Sequence, residues 1–263
     1  MKWLSARYIA CVFAALVATA AIAQDAAVAT PPRVSRPHVV TIGFRGQIKA
    51  LDVERLRQAI ALAGAEPLPA RLIVFFDSSG GDGLAAMRIG RMLRYAKAHV
   101  FVVKRCASAC IFAYVGGVFR DARPGALGIH RGRITRAMQS GKSVDVDPRA
   151  SPVAQRFLTD AEAQTQEHLQ EMGMPPALFE AMQAVSSHDM RWLSAEEAAD
   201  LGLTGFDPEY LAARSAEMQA KYGLSQEEYV RRSHTVLERC GDLSDQHSAF
   251  VKCYRTQLLS PSD

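Results

Sequence analysis

Three short stretches hold residue types that could do chemistry together. RCASACIF (105–112) sets Ser108 between two alanines and two cysteines, FDSSGGDG (76–83) carries an adjacent glycine pair, and ALGIH (126–130) ends on His130. Each alone reads blandly: a serine in a small-residue turn is more often packing than nucleophile, a Gly-Gly pair is a flexible turn, and a strand-end histidine is usually structural. Together they describe acyl transfer. An imidazole takes the serine proton while backbone amides beside the serine and the glycines hold the developing oxyanion.

The elements expected to position these residues alternate strand and helix. RLIVFFD contains five consecutive apolar residues, Leu72 to Phe76, the pattern of a strand buried on both faces of a parallel sheet. After Asp82, residues Ala85, Ile89, Met92, Leu93 and Ala96 form one stripe of an amphipathic helix. HVFVVK (99–104) predicts the next strand, ACIFAYVGG a short apolar helix, and ALGIH a further short strand. Glycine pair, Ser108 and His130 thus each end a separate strand, so an α/β fold with a parallel core sheet brings all three to one carboxyl edge.

Upstream, HVVTIGFRG is a first strand, followed by a helix with Val53, Leu56, Ile60 and Leu62 on one face behind Asp52 as N-cap. Residues 131–151 are polar and read as a loop or arm. A long helix from Val153 to Met172 follows, then PPALFEAM, then a short helix behind the capping box Ser194 to Glu197. Past Pro208 the pattern is helical only, with a second capping box at Ser225 and Glu228, an apolar face of Tyr229, Val236, Leu237 and Cys240, and a last helix carrying Phe250, Cys253 and Leu258.

The first residues combine Lys2 and Arg7 with an apolar run too short to span a bilayer, ending on Ala21-Ile22-Ala23, which predicts an export signal over 1–23 with cleavage near Gln24. A small, Pro-containing linker follows over 24–37. Loss of Lys2 and Arg7 takes the net charge from +4 to +2, with 29 basic residues against 27 acidic, too little for a nucleic-acid footprint. Periplasmic or secreted location follows from the signal. Cys106, Cys110, Cys240 and Cys253 remain, an even set for an oxidising compartment. Sequence proximity favours Cys106 with Cys110 and Cys240 with Cys253, among the three connectivities that four cysteines allow. Around Ser108 the pair reads as a structural bridge, then a redox switch, then two buried thiols. The spacing fits neither a thioredoxin-like motif nor a metal set, so no metal and no cofactor are expected.

FDSSGGDGLAAMRIGRMLR, VVKRCASACIFAYVGGVFRDARPGALGIHR and RWLSAEEAADLGL occur in the order and approximate spacing of the Clp-type serine proteases, and the chain resembles exported bacterial members of that Clp/crotonase superfamily over residues 39–205. The resemblance implies a spiral of βαβ units as a catalytic domain over 38–208, with Ser108 as nucleophile, His130 as general base, and Gly81 and Ala109 as oxyanion amides. The family's acid falls on Met190 here, with Asp189 one residue earlier, leaving either a shifted triad or a dyad. Residue 110 is usually glycine in that family and here is a cysteine. Residues 209–263, expected to form a helical hairpin, lie outside the family pattern. The expected function is an ATP-independent exported serine peptidase acting on peptides or unfolded segments, a homo-oligomer without an ATPase partner. Two other classes compete: a binding or assembly protein that keeps the fold without turnover, and an acyl-CoA enzyme of the crotonase kind. The intact serine and histidine speak against the first, and export against the second.

Overall fold

The computed structural model describes residues 39–65, 71–137 and 143–259. The expected signal and linker, and the cleavage position near Gln24, lie outside the described residues. The described residues form one compact unit.

The fold is mixed α/β around a sheet whose core is parallel, as its strand spacing predicts. Strand β1 (Val39–Ile48) pairs in parallel with β2 (Arg71–Gly81), β2 with β3 (His99–Ala107), and β3 with β4 (Phe119–Ala122). Beyond the reach of β4, the upper end of β3 pairs instead with β5 (Leu127–Ile129), again in parallel. One strand therefore serves two neighbours in succession. Short antiparallel strands close both branches: β8 (Arg191–Trp192) on β5 and β9 (Gly205–Phe206) on β4.

Helix α1 (Ala50–Ala65) joins β1 to β2, α2 (Gly83–Tyr95) joins β2 to β3, and the five-residue α3 (Cys110–Tyr114) follows β3. Leu72, Val74 and Phe76 of β2 pack with Ile89 and Leu93 of α2, Ile111 and Tyr114 of α3, and Leu56 of α1 on one sheet face. The opposite strand positions, Ile73, Phe75, Phe101 and Phe119, face a second core made with the C-terminal helices. This two-sided burial is why β2 is an unbroken apolar run.

Two local expectations are corrected. Asp52 does not cap α1, because the helix begins at Ala50; its carboxylate instead accepts from Lys49 N–H at 2.9 Å, from within the first turn. Leu62 is 65% exposed, and Ala59 and Ala63 occupy the inner face beside Leu56 in its place. Small residues there let α1 lie close to the sheet, which large-residue periodicity does not register.

The arm is not a plain loop. It carries an antiparallel pair, β6 (Thr135–Ala137) and β7 (Ser143–Asp145), and a single 3-10 turn at Pro148–Ala150 before α4 (Pro152–Glu171). Helix α5 (Pro176–Gln183) and the capped α6 (Ala195–Asp200), with both halves of the Ser194–Glu197 box formed, complete this half. The C-terminal part is three helices rather than a hairpin alone: α7 (Pro208–Tyr222), α8 (Gln226–Cys240) and α9 (His247–Leu259). Cys240 and Cys253 are bonded and tie α8 to α9, a loop closure worth about 3 kcal/mol in the chain-entropy model. Arg94 fixes α2 to its surroundings, pairing with Asp207 at 2.7 Å and donating to the Met172 and Val115 carbonyls.

Candidate active site

Strands β2, β3 and β5 run parallel and end at Gly81, Ala107 and Ile129, so the residues that follow or close them share one edge of the sheet. Ser108 is the first residue past β3. Its φ is +57°, one of two non-glycine residues in the left-handed region among those described. A single such conformation costs on the order of 1–3 kcal/mol and persists only where its surroundings impose it. Three constraints do so here. Ser108 N–H donates to Gly128 O at 3.0 Å, its carbonyl accepts from Ile111 N–H at 3.0 Å, and the Cys106–Cys110 disulfide closes the turn around it with a sequence separation of 4.

Gly80 leaves the room that this conformation needs. A Cβ on Gly80 would stand 2.7 Å from Ser108 Cβ and 3.1 Å from its Oγ, at a φ of +105°. The serine occupies the space that any other residue at 80 would need. Gly81 does different work: a Cβ there would meet Ile48 O at 2.4 Å, so its missing side chain lets β2 lie against β1. The pair is held from beneath by the buried Ser78, whose hydroxyl accepts from Gly80 N–H at 3.1 Å. Sequence reasoning names Gly81 alone; Gly80 is the glycine in contact with Ser108.

On the far side of the serine the backbone turns into α3. Ile111 and Phe112 N–H bond the Ser108 and Ala109 carbonyls, while among the described residues the N–H groups of Ala109 and Cys110 have no hydrogen-bond partner. Ala109 is buried. Unpaired buried amides are costly, and amides directly after a serine suit an anionic oxygen.

His130 follows β5 by one residue and is buried. Its Nδ1 lies 2.6 Å from Arg131 O. A carbonyl can only accept, so Nδ1 carries the proton and donates, and the neutral ring presents a bare Nε2. Burial holds the imidazole below the usual histidine range, opposed by the Arg131 carbonyl and aided by the Arg133 charge. No hydrogen bond joins Nε2 to Ser108 Oγ in this structure. The carbonyl that orients the ring is itself anchored: Arg131 N–H donates to Val185 O at 3.1 Å, and its guanidinium reaches Gln183 O through Nε at 3.1 Å.

The remaining candidate acid stands apart. Asp189 is exposed, its N–H donates to Ser186 O at 3.1 Å, and its carboxylate enters no hydrogen bond or ion pair among the described residues. The antiparallel register of β5 with β8 pairs Gly128 with Trp192 and Ile129 with Arg191, and its continuation sets Met190 against His130. Met190 Sδ packs on Gly128, 2.8 Å from where a Cβ would stand. The ring's orienting partner is therefore a main-chain oxygen, which no side-chain pattern could have named.

A cleft of about 320 Å³ opens beside this edge, between the start of α2, the segment just past His130, and helices α4 and α5. Leu84, Met87, Phe112, Phe157, Phe179 and Met182 give it a mainly apolar wall. Helix α4 is moored beneath it by His168, whose buried Nε2–H donates to Phe112 O at 2.8 Å. Among the described residues, no cluster of histidine, cysteine or carboxylate side chains is arranged to hold a metal. None of the described helices is long and apolar enough to cross a membrane.

No protein-family model and no curated protein matches the chain. In solved structures it is similar in fold to the 1510-N membrane-bound stomatin-specific protease, in a serine-to-alanine mutant form. That match has 20% identity over 68% of this chain and 86% of that one, with a TM-score of 0.46. It is also similar to a point mutant of ClpP1 from Listeria monocytogenes, at 18% identity over 63% of this chain and 88% of that one, again with a TM-score of 0.46. No activity follows from likeness at this level.

Proposed function

We propose that the chain is an exported, ATP-independent serine peptidase in which Ser108 and His130 act as a dyad. The observation that carries this reading is the left-handed Ser108, wedged against Gly80 and followed by two unpaired amides, one strand away from a histidine whose bare Nε2 is available as a base. On this reading Nε2 takes the Ser108 proton as Oγ attacks a substrate carbonyl. The oxyanion is received by Ala109 N–H, with Gly81 N–H as the second donor, and the imidazolium passes its proton to the leaving amine. Water, activated by the same Nε2, then cleaves the acyl-enzyme. Arg131 O holds the tautomer through both half-reactions.

Peptides or unfolded segments are the substrates this site suits, since the apolar cleft beside it could seat a side chain and export removes the chain from ATP. The test is labelling by a fluorophosphonate together with hydrolysis of a peptide library. Wild-type chain is expected to label at one site, and Ser108→Ala and His130→Ala are each expected to abolish labelling and cleavage with the fold unchanged. Equal hydrolysis by Ser108→Ala would refute it.

A further inference from the structure

The mature cysteines beside Ser108 have no part in the chemistry just described, yet they are placed where they could govern it. Cys106 is the last residue but one of β3 and Cys110 is the first of α3, so their bond spans only the Ala107–Ser108–Ala109 turn. Both are wholly buried. Cys106 is already fixed in the sheet without the disulfide: it pairs with Ser78 on one side and Leu127 on the other, and its N–H donates to Ala126 O at 2.8 Å. Cys110 has no partner in the sheet and is held only by the packing of the short, buried α3. The bond thus ties the helical end of the turn covalently to its strand end, and the residue between them is the one held at φ +57°.

We propose that the Cys106–Cys110 disulfide gates the site: the oxidised form holds Ser108 in its reactive conformation, and the dithiol form is a folded but slow hydrolase. The inference rests on Ser108 as nucleophile. A dithiol reductant supplies two electrons and two protons, breaks the S–S bond to give two cysteine thiols, and leaves as its own disulfide. Ser108 then keeps its hydrogen bonds to Gly128 and Ile111, and Gly80 still leaves it room, but nothing covalent opposes relaxation out of the left-handed region. The strain stored in a left-handed non-glycine residue sets the bias that is released when the bond is cut, so a loss of about 10- to 30-fold in reactive population is expected. Because binding groups lie elsewhere, the loss falls on kcat and not on KM.

The experiment compares the oxidised chain, the chain treated with dithiothreitol, and the variant Cys106→Ala/Cys110→Ala. Alkylation and peptide mass spectrometry establish which cysteines are reduced, so the Cys240–Cys253 bond is followed separately. Expected are fluorophosphonate labelling and kcat about 10- to 30-fold lower in the dithiol form with KM and near-ultraviolet circular dichroism unchanged, recovery on reoxidation, and a double variant that is equally slow and blind to reductant. Equal labelling rates with thiols demonstrated at 106 and 110 would overturn the gate while leaving the serine chemistry intact. Loss of the near-ultraviolet signal with the bond would overturn it too, by assigning the bridge to the fold. An oxidised chain that takes no label, indistinguishable from Ser108→Ala, would refute the peptidase reading and the gate with it.

Discussion

Replacing Asp189 by asparagine removes the carboxylate nearest the position where a third catalytic member would be sought, and the structure sets how much that should cost. The side chain is exposed and, among the described residues, unpaired, and His130 Nδ1 already donates to Arg131 O at 2.6 Å. What Asp189 can still contribute is a charge acting through solvent, and two unit charges even 4 Å apart in water interact by only about 1 kcal/mol before salt screening. Asp189→Asn should therefore lower kcat/KM by less than about 5-fold. Arg131→Ala is the contrasting variant, because it frees the peptide that carries the acceptor from its hold on Gln183 O. It should lower kcat more than Asp189→Asn while leaving KM alone. Initial rates on a chromogenic peptide ester, with active sites counted by fluorophosphonate, measure both. A loss on the order of 10⁴ in Asp189→Asn, as when an orienting aspartate leaves a working triad, would refute the carbonyl as orienting group.

The acid limb of kcat/KM reports the free-enzyme base, and burial lowers the His130 value, so the neutral form that accepts a proton survives to lower pH. The midpoint of that limb should lie below the ordinary histidine value of about 6.5; a midpoint above 7 contradicts the assignment of His130. Gly80→Ala should cut fluorophosphonate labelling at least about 100-fold and lower Tm, since a Cβ 2.7 Å from Ser108 Cβ at φ +105° forces the serine out of place. Gly43→Ala, where nothing lies within 4 Å, is the control and should label normally.

What the sequence discloses here follows the physics of each signal. Buried parallel strands announce themselves because both faces need apolar residues, so β2 and β3 and the helix between them are legible, and with them the convergence of Ser108 and His130 on one edge. Inner faces built from small residues are not: Ala59 and Ala63 look neutral, and the exposed Leu62 takes their place in any count of large side chains. The arm hides its antiparallel pair because β6 and β7 are only three residues each, too short for a periodic signal. The glycine pair reads as functional, but its division between Ser108 and Ile48 depends on strand register and packing, which exist only once the chain is folded. The orienting group of His130 is the least legible part, because every residue has a carbonyl and only the fold selects one.

That a carbonyl and not a carboxylate stands behind the imidazole has a chemical consequence. An aspartate does two things for a catalytic histidine: it fixes the tautomer, and its charge stabilises the imidazolium formed as the serine proton is taken. Arg131 O does the first without the second. The nearby Arg133 charge and the burial of the ring both disfavour the imidazolium. On the proposed mechanism, proton transfer from Ser108 would thus be uphill compared with a charged triad, and more of the barrier would be offset by a reactive substrate carbonyl, by the amides after Ser108, or by the conformation of Ser108 itself. A weak base makes the last of these matter more, because a nucleophile that is seldom deprotonated must be correctly placed whenever it is. The same reasoning explains why the turn carries so many restraints at one residue: Gly128 O and Ile111 N–H on its backbone, and a covalent bond across it.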